Sequence, residues 1–201
     1  MRPKLPVLAH AWALGYTSSM RKLIQQYAKD LTSGRLESGY EHSFRVYHLT
    51  REIGEEASYD DDVLHAACFL HDIEMSEGHP RSSAEKAEAI LHETGFVPDK
   101  IPMVVDAILN HMPGGSPAST EAKLLFDANL LDSLGAVGFA RLSAGAVVWY
   151  RYSTMKEVLD YISRELSFTK ELHFEASREL AREKIAFTRA AIEQFTKELH
   201  L

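Results

Sequence analysis

Apolar residues recur along this chain at spacings of three and four, and stretches that alternate apolar and polar positions are scarce. That period predicts helices. Met20, Leu23, Ile24, Tyr27 and Leu31 form one stripe, with Thr17 to Ser19 placed to cap it and Gly34 to end it. Tyr40 to Ala57 predicts a second helix, with His42, Val46, Leu49 and Ile53 on one side. Asp60 to Asp62 are good N-caps for a third, Val63 to His71. Glu74 to Arg81 holds Gly78 and Pro80 and reads as a loop. Ser82 and Ser83 then cap a fourth helix, with Ala84, Ala87, Ile90 and Leu91 inward and Gly95 as its stop. Pro98 and Asp99 open a fifth, whose apolar face is Ile101, Val104, Val105, Ile108 and Leu109.

The clearest break is Pro113 to Ser119, where Pro-Gly-Gly-Ser-Pro cannot continue a helix. Helix is expected again from Thr120 to Arg141, with Gly135, Ala136 and Gly138 allowing close contact. Ala144 to Trp149 is apolar and is compatible with helix or a buried turn. Further helices are expected over Met155 to Leu166 and from Leu172 to about Leu199. The expected fold is an all-α helical bundle. Residues 17–201 form one domain, and 1–16 an N-terminal extension.

Composition narrows this picture. The 201 residues are 45% hydrophobic and 25% charged, ordinary for a globular protein. A net charge of −7 opposes non-specific binding to a nucleic-acid polymer or an anionic membrane. A phosphorylated substrate would have to be held locally, by metal and a few cations. No stretch approaches the length of uninterrupted apolar sequence that a membrane span needs. Cys68, the single cysteine, leaves no intramolecular disulfide and sits in an apolar run, which suits a reducing compartment. Arg2 and Lys4 before Leu5 to Gly15 have the outline of a signal peptide. Pro3, Pro6 and His10 interrupt it, so a cytoplasmic protein is expected.

The chemistry centres on Ala66 to Ile73, an apolar helical run that ends in the adjacent pair His71-Asp72. At a helix end both side chains can turn to one ion, and imidazole nitrogen and carboxylate oxygen suit zinc, manganese or iron. Of the ten histidines, His10, His173 and His200 read as solvated, and His48 and His65 as surface or core. His92 suits a helix end, where it meets the dipole. His42 opens the second helix with Arg45 one turn later on the same face. His79 lies in the loop before the fourth helix, and His111 ends the fifth. Asp127 interrupts the apolar run Leu124 to Leu131, and a buried carboxylate there needs a partner, either a cation or Arg45. His42, His71-Asp72 and Asp127 lie on three separate helices, which a bundle can converge on its interior.

The order H…HD…D in these contexts resembles the HD-domain phosphohydrolase superfamily. The segments that carry the likeness are His42 to Val46, Ala66 to Ile73, Ser83 to Ala87 with Leu91, Ala107 to His111, and Phe126 to Gly135. The last is similar to the DAD-x-LD-x-LG stretch of a bacterial branch, with Asn129 where that branch usually has Asp. The loop after Asp72 has Met75 where some nucleotidase relatives carry Glu, which argues against a simple nucleoside monophosphatase.

The resemblance implies that His42, His71, Asp72 and Asp127 bind a divalent ion: manganese, iron, zinc or cobalt. His79 and His111 would bind a second ion or the substrate, with Asp72 bridging. Asp72 would then be the central catalytic residue, Arg45, Lys86 and Arg81 candidate phosphate contacts, and Asp132 a residue orienting a ligand. The implied activity is hydrolysis of a small phosphate ester or anhydride, a nucleotide by preference, through water activated by the ion. Two rivals are a mixed-valent di-iron oxygenase, which needs all six ligands, and a non-catalytic binding module with a structural ion. A homodimer is left open.

Overall fold

The computed structural model describes residues 7–75 and 78–200, with side chains from Ser18 onward. Among these residues the regular structure is helical throughout, with no strand. The α-helices are α1 (Val7–Leu31), α2 (Tyr40–Ile53), α3 (Asp61–Leu70), α4 (Arg81–Glu93), α5 (Ile101–Leu109), α6 (Thr120–Asp132), α7 (Gly135–Val148), α8 (Met155–Ser167) and α9 (Glu175–Glu198). Pro98–Lys100 and Phe168–Glu171 are short 3-10 turns.

The centre is α3, in which every residue from Val63 to Leu70 is buried. A helix apolar on all sides has no surface to offer water, so it lies inside. It packs on α1, α2, α5 and α6. Asp60 caps it, accepting the N–H groups of Asp62 and Val63, an arrangement worth roughly 1 kcal/mol. The largest fully enclosed side chains of the core include Phe69 and Phe126, and burying each contributes about 2–3 kcal/mol relative to exposure. A smaller cluster of Ala146, Val158 and Ile162 joins α7 to α8.

Several boundaries differ from the periodic pattern, each for a local reason. α1 already runs from Val7, so Thr17 to Ser19 lie inside it rather than at its start; residues 1–6 lie outside the described residues. α2 stops at Ile53 because Gly54 turns the chain against Tyr59, where a Cβ would lie 2.8 Å from the ring. α4 begins at Arg81. Ser83, expected as a cap, instead ties the preceding loop, donating to the Glu74 carbonyl and accepting the Glu74 N–H.

The expected single helix over Thr120 to Arg141 is two helices at 86°. Ser133 donates its hydroxyl to the Leu130 carbonyl and Gly135 adopts φ +75, a left-handed value that favours glycine. Gly138 then passes so near Ser133 that any Cβ would overlap its backbone. No single helix among the described residues is long and apolar enough to cross a membrane.

Candidate metal centre

Five side chains from four places in the fold converge. His42 comes from the first turn of α2, and His71 is the C-cap of α3 with Asp72 next to it. His79 comes from the loop before α4, and His111 lies two residues past α5. His42, His71, Asp72 and His111 are buried, and His79 nearly so. The Nε2 atoms of His42 and His71 are 3.0 Å apart and lie 3.5 and 3.6 Å from Asp72 Oδ2. The Nε2 atoms of His79 and His111 lie 3.2 and 3.4 Å from the other oxygen, Oδ1. Asp72 therefore stands between two pairs of imidazoles.

What the four rings share is the anchoring of Nδ1. His42 Nδ1 faces Asp132 Oδ2 at 2.7 Å, and His71 Nδ1 faces the Cys68 carbonyl at 2.8 Å. His79 Nδ1 faces the Glu74 carbonyl at 3.0 Å, and His111 Nδ1 faces the Ile108 carbonyl at 2.6 Å. These oxygens only accept, so each Nδ1 carries the proton and each Nε2 keeps a bare lone pair. Four lone pairs and a carboxylate then point at one another. Such an array repels itself unless cations lie within it.

The spacing suits them. Ligands bonded at about 2.1 Å lie ~3.0 Å apart at right angles and ~3.4 Å apart at tetrahedral angles. The residues thus fit a divalent ion on His42, His71 and Asp72, and a second on Asp72, His79 and His111. Protonation states agree for His71 and Asp72, whereas at His79 burial is outweighed by Asp72, which raises the imidazole, so an ion there has a proton to displace. Burial pushes the His71 imidazole down to about 3. Burial opposes ionisation of Asp72, but His71, His111, His42 and His79 outweigh it and hold the carboxyl well below its usual range. Both groups are therefore in ligand form at neutral pH.

Asp132 braces this centre. Besides His42 it takes a forked contact from Arg45, at 2.8 and 3.1 Å, and one from Arg141 at 2.8 Å. Burial works against its charge, yet His42 and Arg45 keep its carboxyl far below the usual range. A carboxylate behind a ligating imidazole fixes the ring and raises its basicity.

Asp127 does not join the cluster, contrary to expectation. It is wholly buried, but both oxygens face the start of α9, accepting the backbone N–H groups of His173 and Phe174 and the Nδ1–H of His173. Its partner is thus neither an ion nor Arg45, and His173 is bound rather than free in solvent. The residues of α6 that line the cavity are Leu130 and Asn129, whose amide lies 3.4 Å from the His111 carbonyl.

The three expected phosphate contacts also lie elsewhere. Arg45 is spent on Asp132 and opens on a separate groove with Tyr40 and Phe44. Lys86 pairs with Glu74 at 3.2 Å, and Arg81 is exposed at the start of α4. Two cations missed in the sequence are nearer. Arg35 donates to the Asp72 carbonyl and lies over Trp149. Arg141 donates through Nε to the Glu37 carbonyl and through Nη1 to Asp132, and its Nη2 makes no hydrogen bond among the described residues.

The centre opens into a cavity of about 480 Å³. Asp72, His79 and His111 line it on one side and α7, α8 and their connection on the other, with Arg141 and Asn129 also in its wall. That size is within the range of small-molecule sites.

Residues 39–134 match the model of the HD domain. The protein YpgQ of Bacillus subtilis is 26% identical over 198 residues, covering 92% of this chain and 95% of YpgQ. A cyanamide hydratase of Saccharomyces cerevisiae is 27% identical over 135 residues, 59% of this chain and 58% of that protein. The fold matches a Lactobacillus plantarum structure with a TM-score of 0.78 at 19% identity, over 90% of this chain and 97% of that one. It matches YpgQ, crystallised in complex with ADP, with a TM-score of 0.72 at 24% identity, over 91% and 96%. With its clustered histidines and Asp72 inside that matched segment, residues 39–134 of the chain are an HD domain.

Proposed function

We propose that this chain is a metal-dependent phosphohydrolase acting on a small phosphate ester or anhydride, with a nucleotide as the favoured class. The observation that carries the reading is the array of four imidazole Nε2 atoms around Asp72 at the wall of a ligand-sized cavity. When bound there, a divalent ion supplies a Lewis acid that acidifies water and neutralises phosphoryl charge. The chain's own residues do the rest. Asp72 holds the two imidazole pairs in register, and Arg35 fixes its backbone carbonyl. Asp132 keeps His42 in one tautomer. Arg141 presents its free Nη2 to a phosphoryl oxygen, a role that suits a guanidinium. The ADP complex of YpgQ supports a nucleotide for this cavity.

A second reading comes from the yeast relatives, named cyanamide hydratases. Adding water to a nitrile would use the same activated water and no phosphate contact. A cavity of about 480 Å³ is oversized for so small a molecule, which favours the first reading. The test combines metal analysis with turnover of nucleotides, dinucleotides, sugar phosphates and cyanamide in several divalent ions. Release of phosphate or pyrophosphate stimulated by manganese or cobalt supports the phosphohydrolase. Cyanamide turnover alone, or two irons per chain with a visible charge-transfer band and no phosphate release, overturns it.

A further inference from the structure

The cavity wall opposite the metal centre, Arg141 apart, has no role in the chemistry above, and it is unusual in its residues. Trp149 and Tyr150, at the end of α7, are large aromatic side chains left substantially exposed. Tyr161 on α8 adds a third ring, 5.0 Å from that of Tyr150. The Trp149 face is held in place, since its Nε1–H donates to Glu37 Oε1 at 2.8 Å and Arg35 lies over the ring. Beside these rings Glu165 also lines the cavity, with its side chain only 19% exposed. Its one charged partner among the described residues is the neighbouring Arg164, at 3.8 Å, and that arginine is itself half exposed. Burial raises the Glu165 carboxyl above its ordinary range. A sheltered carboxylate with so weak a partner is costly unless something donates to it.

Resting on the nucleotide reading, we infer that this wall is a base-binding subsite in which Glu165 accepts hydrogen bonds from a purine edge that offers two adjacent N–H donors. The aromatic faces supply stacking to a planar ring. A carboxylate has two oxygens able to accept two parallel N–H groups. Guanine offers that pair, N1–H beside the 2-amino group. Adenine places an acceptor beside its amino group and would set a lone pair against the carboxylate. Arg141 also lines the cavity and offers a guanidinium to the phosphate-bearing part of the ligand.

The experiment is calorimetric binding to the manganese-loaded full-length chain. The probes are α,β-methylene diphosphates of guanosine, inosine and adenosine, with methylenediphosphonate as the base-free reference. The guanine analogue should bind about tenfold or more tightly than the adenine one, as a pair of hydrogen bonds to a charged group implies. Inosine, lacking the amino group, should fall between them. Glu165→Gln, which keeps the side-chain shape, should bring guanine and adenine to within about threefold of each other. Equal binding of the two bases by the parent, or an unchanged ratio in Glu165→Gln, overturns the inference. So does Glu165-dependent binding of phosphocholine, which would make the rings a cage for a cation. Failure here with methylenediphosphonate still bound leaves the phosphohydrolase reading standing. Failure of the diphosphonate and every nucleotide to bind removes both.

Discussion

His71 and His111 hold the same pose at the ends of two different helices. Each turns Nδ1 back to the carbonyl three residues earlier, Cys68 and Ile108 respectively, and each thereby adds a hydrogen bond at a helix end. Their rings meet at 4.9 Å and 74°. The two histidines serve opposite oxygens of Asp72, so their removal should differ in kind. His111→Ala should lower metal content from two ions per chain toward one and abolish most turnover. His71→Ala should lose the ion shared with His42 first. Metal analysis on gel-filtered protein checks this; two ions retained in His111→Ala would assign that residue to the substrate.

Ion binding should stabilise the bundle. At a free manganese concentration about 100-fold above the dissociation constant, linkage adds roughly 2.7 kcal/mol. The melting temperature should therefore rise with the logarithm of free manganese and fall in chelator. Asp72→Ala should melt at the same temperature in both buffers.

Asp127→Asn separates structure from metal. The carboxylate receives three N–H donors at the start of α9, and the variant puts an amide nitrogen against some of them. A loss of about 2 kcal/mol is expected in denaturant unfolding, with metal content unaltered. A variant of parental stability that binds less metal would return Asp127 to the ligand set.

Asn129→Asp should do the reverse. It adds a carboxylate to the cavity wall next to Asp72 and His111, close to where cations collect. Metal affinity should rise by about tenfold or more, read from competition with a chromophoric chelator. The cost is the long amide contact to the His111 carbonyl, a weak interaction. Unchanged or weaker affinity would show that Asn129 lies beyond ligand reach.

A pH dependence comes from His65, away from the metal centre. It is buried in α3 beside Tyr47 and Phe69, and its Nδ1 makes no hydrogen bond among the described residues. Burial, helped by Arg21, pushes its pKa down to about 4. Between 6.5 and 4 the unfolded chain binds a proton that the folded chain refuses, so stability falls as pH drops through that window and levels off below it. The contribution is at most about 3 kcal/mol. His65→Phe should flatten this part of the curve when parent and variant are unfolded side by side in chelator at pH 7 and pH 4.5.

The helical period was enough to announce the bundle, because one face of nearly every helix is apolar and α3 from Val63 to Leu70 is apolar all round but for His65. The same period held a signal that motif order concealed. Asn129 and Asp132 are three residues apart and share a helix face, whereas Asp127 lies two residues before Asn129 and points away. The face that carries Asp132 is the one behind His42, so α6 turns Asn129, not Asp127, to the site. Less was visible where contacts span the chain. The break between α6 and α7 depends on a glycine at positive φ and on close backbone approach, and neither follows from apolar spacing. Arg141 and Glu165 look like solvated charges in sequence, and only the packing of α7 and α8 against the HD segment brings them to the cavity.

The sharp turn at Ser133 and Leu134 coincides with the end of the HD match at residue 134. Every candidate ligand precedes that corner, while Arg141, Trp149, Tyr150, Tyr161 and Glu165 follow it. Reaction and recognition are thereby written in consecutive stretches of the chain, joined at a single bend. A chimaera that exchanges residues 135–167 with those of a relative should keep its ions and change its taste.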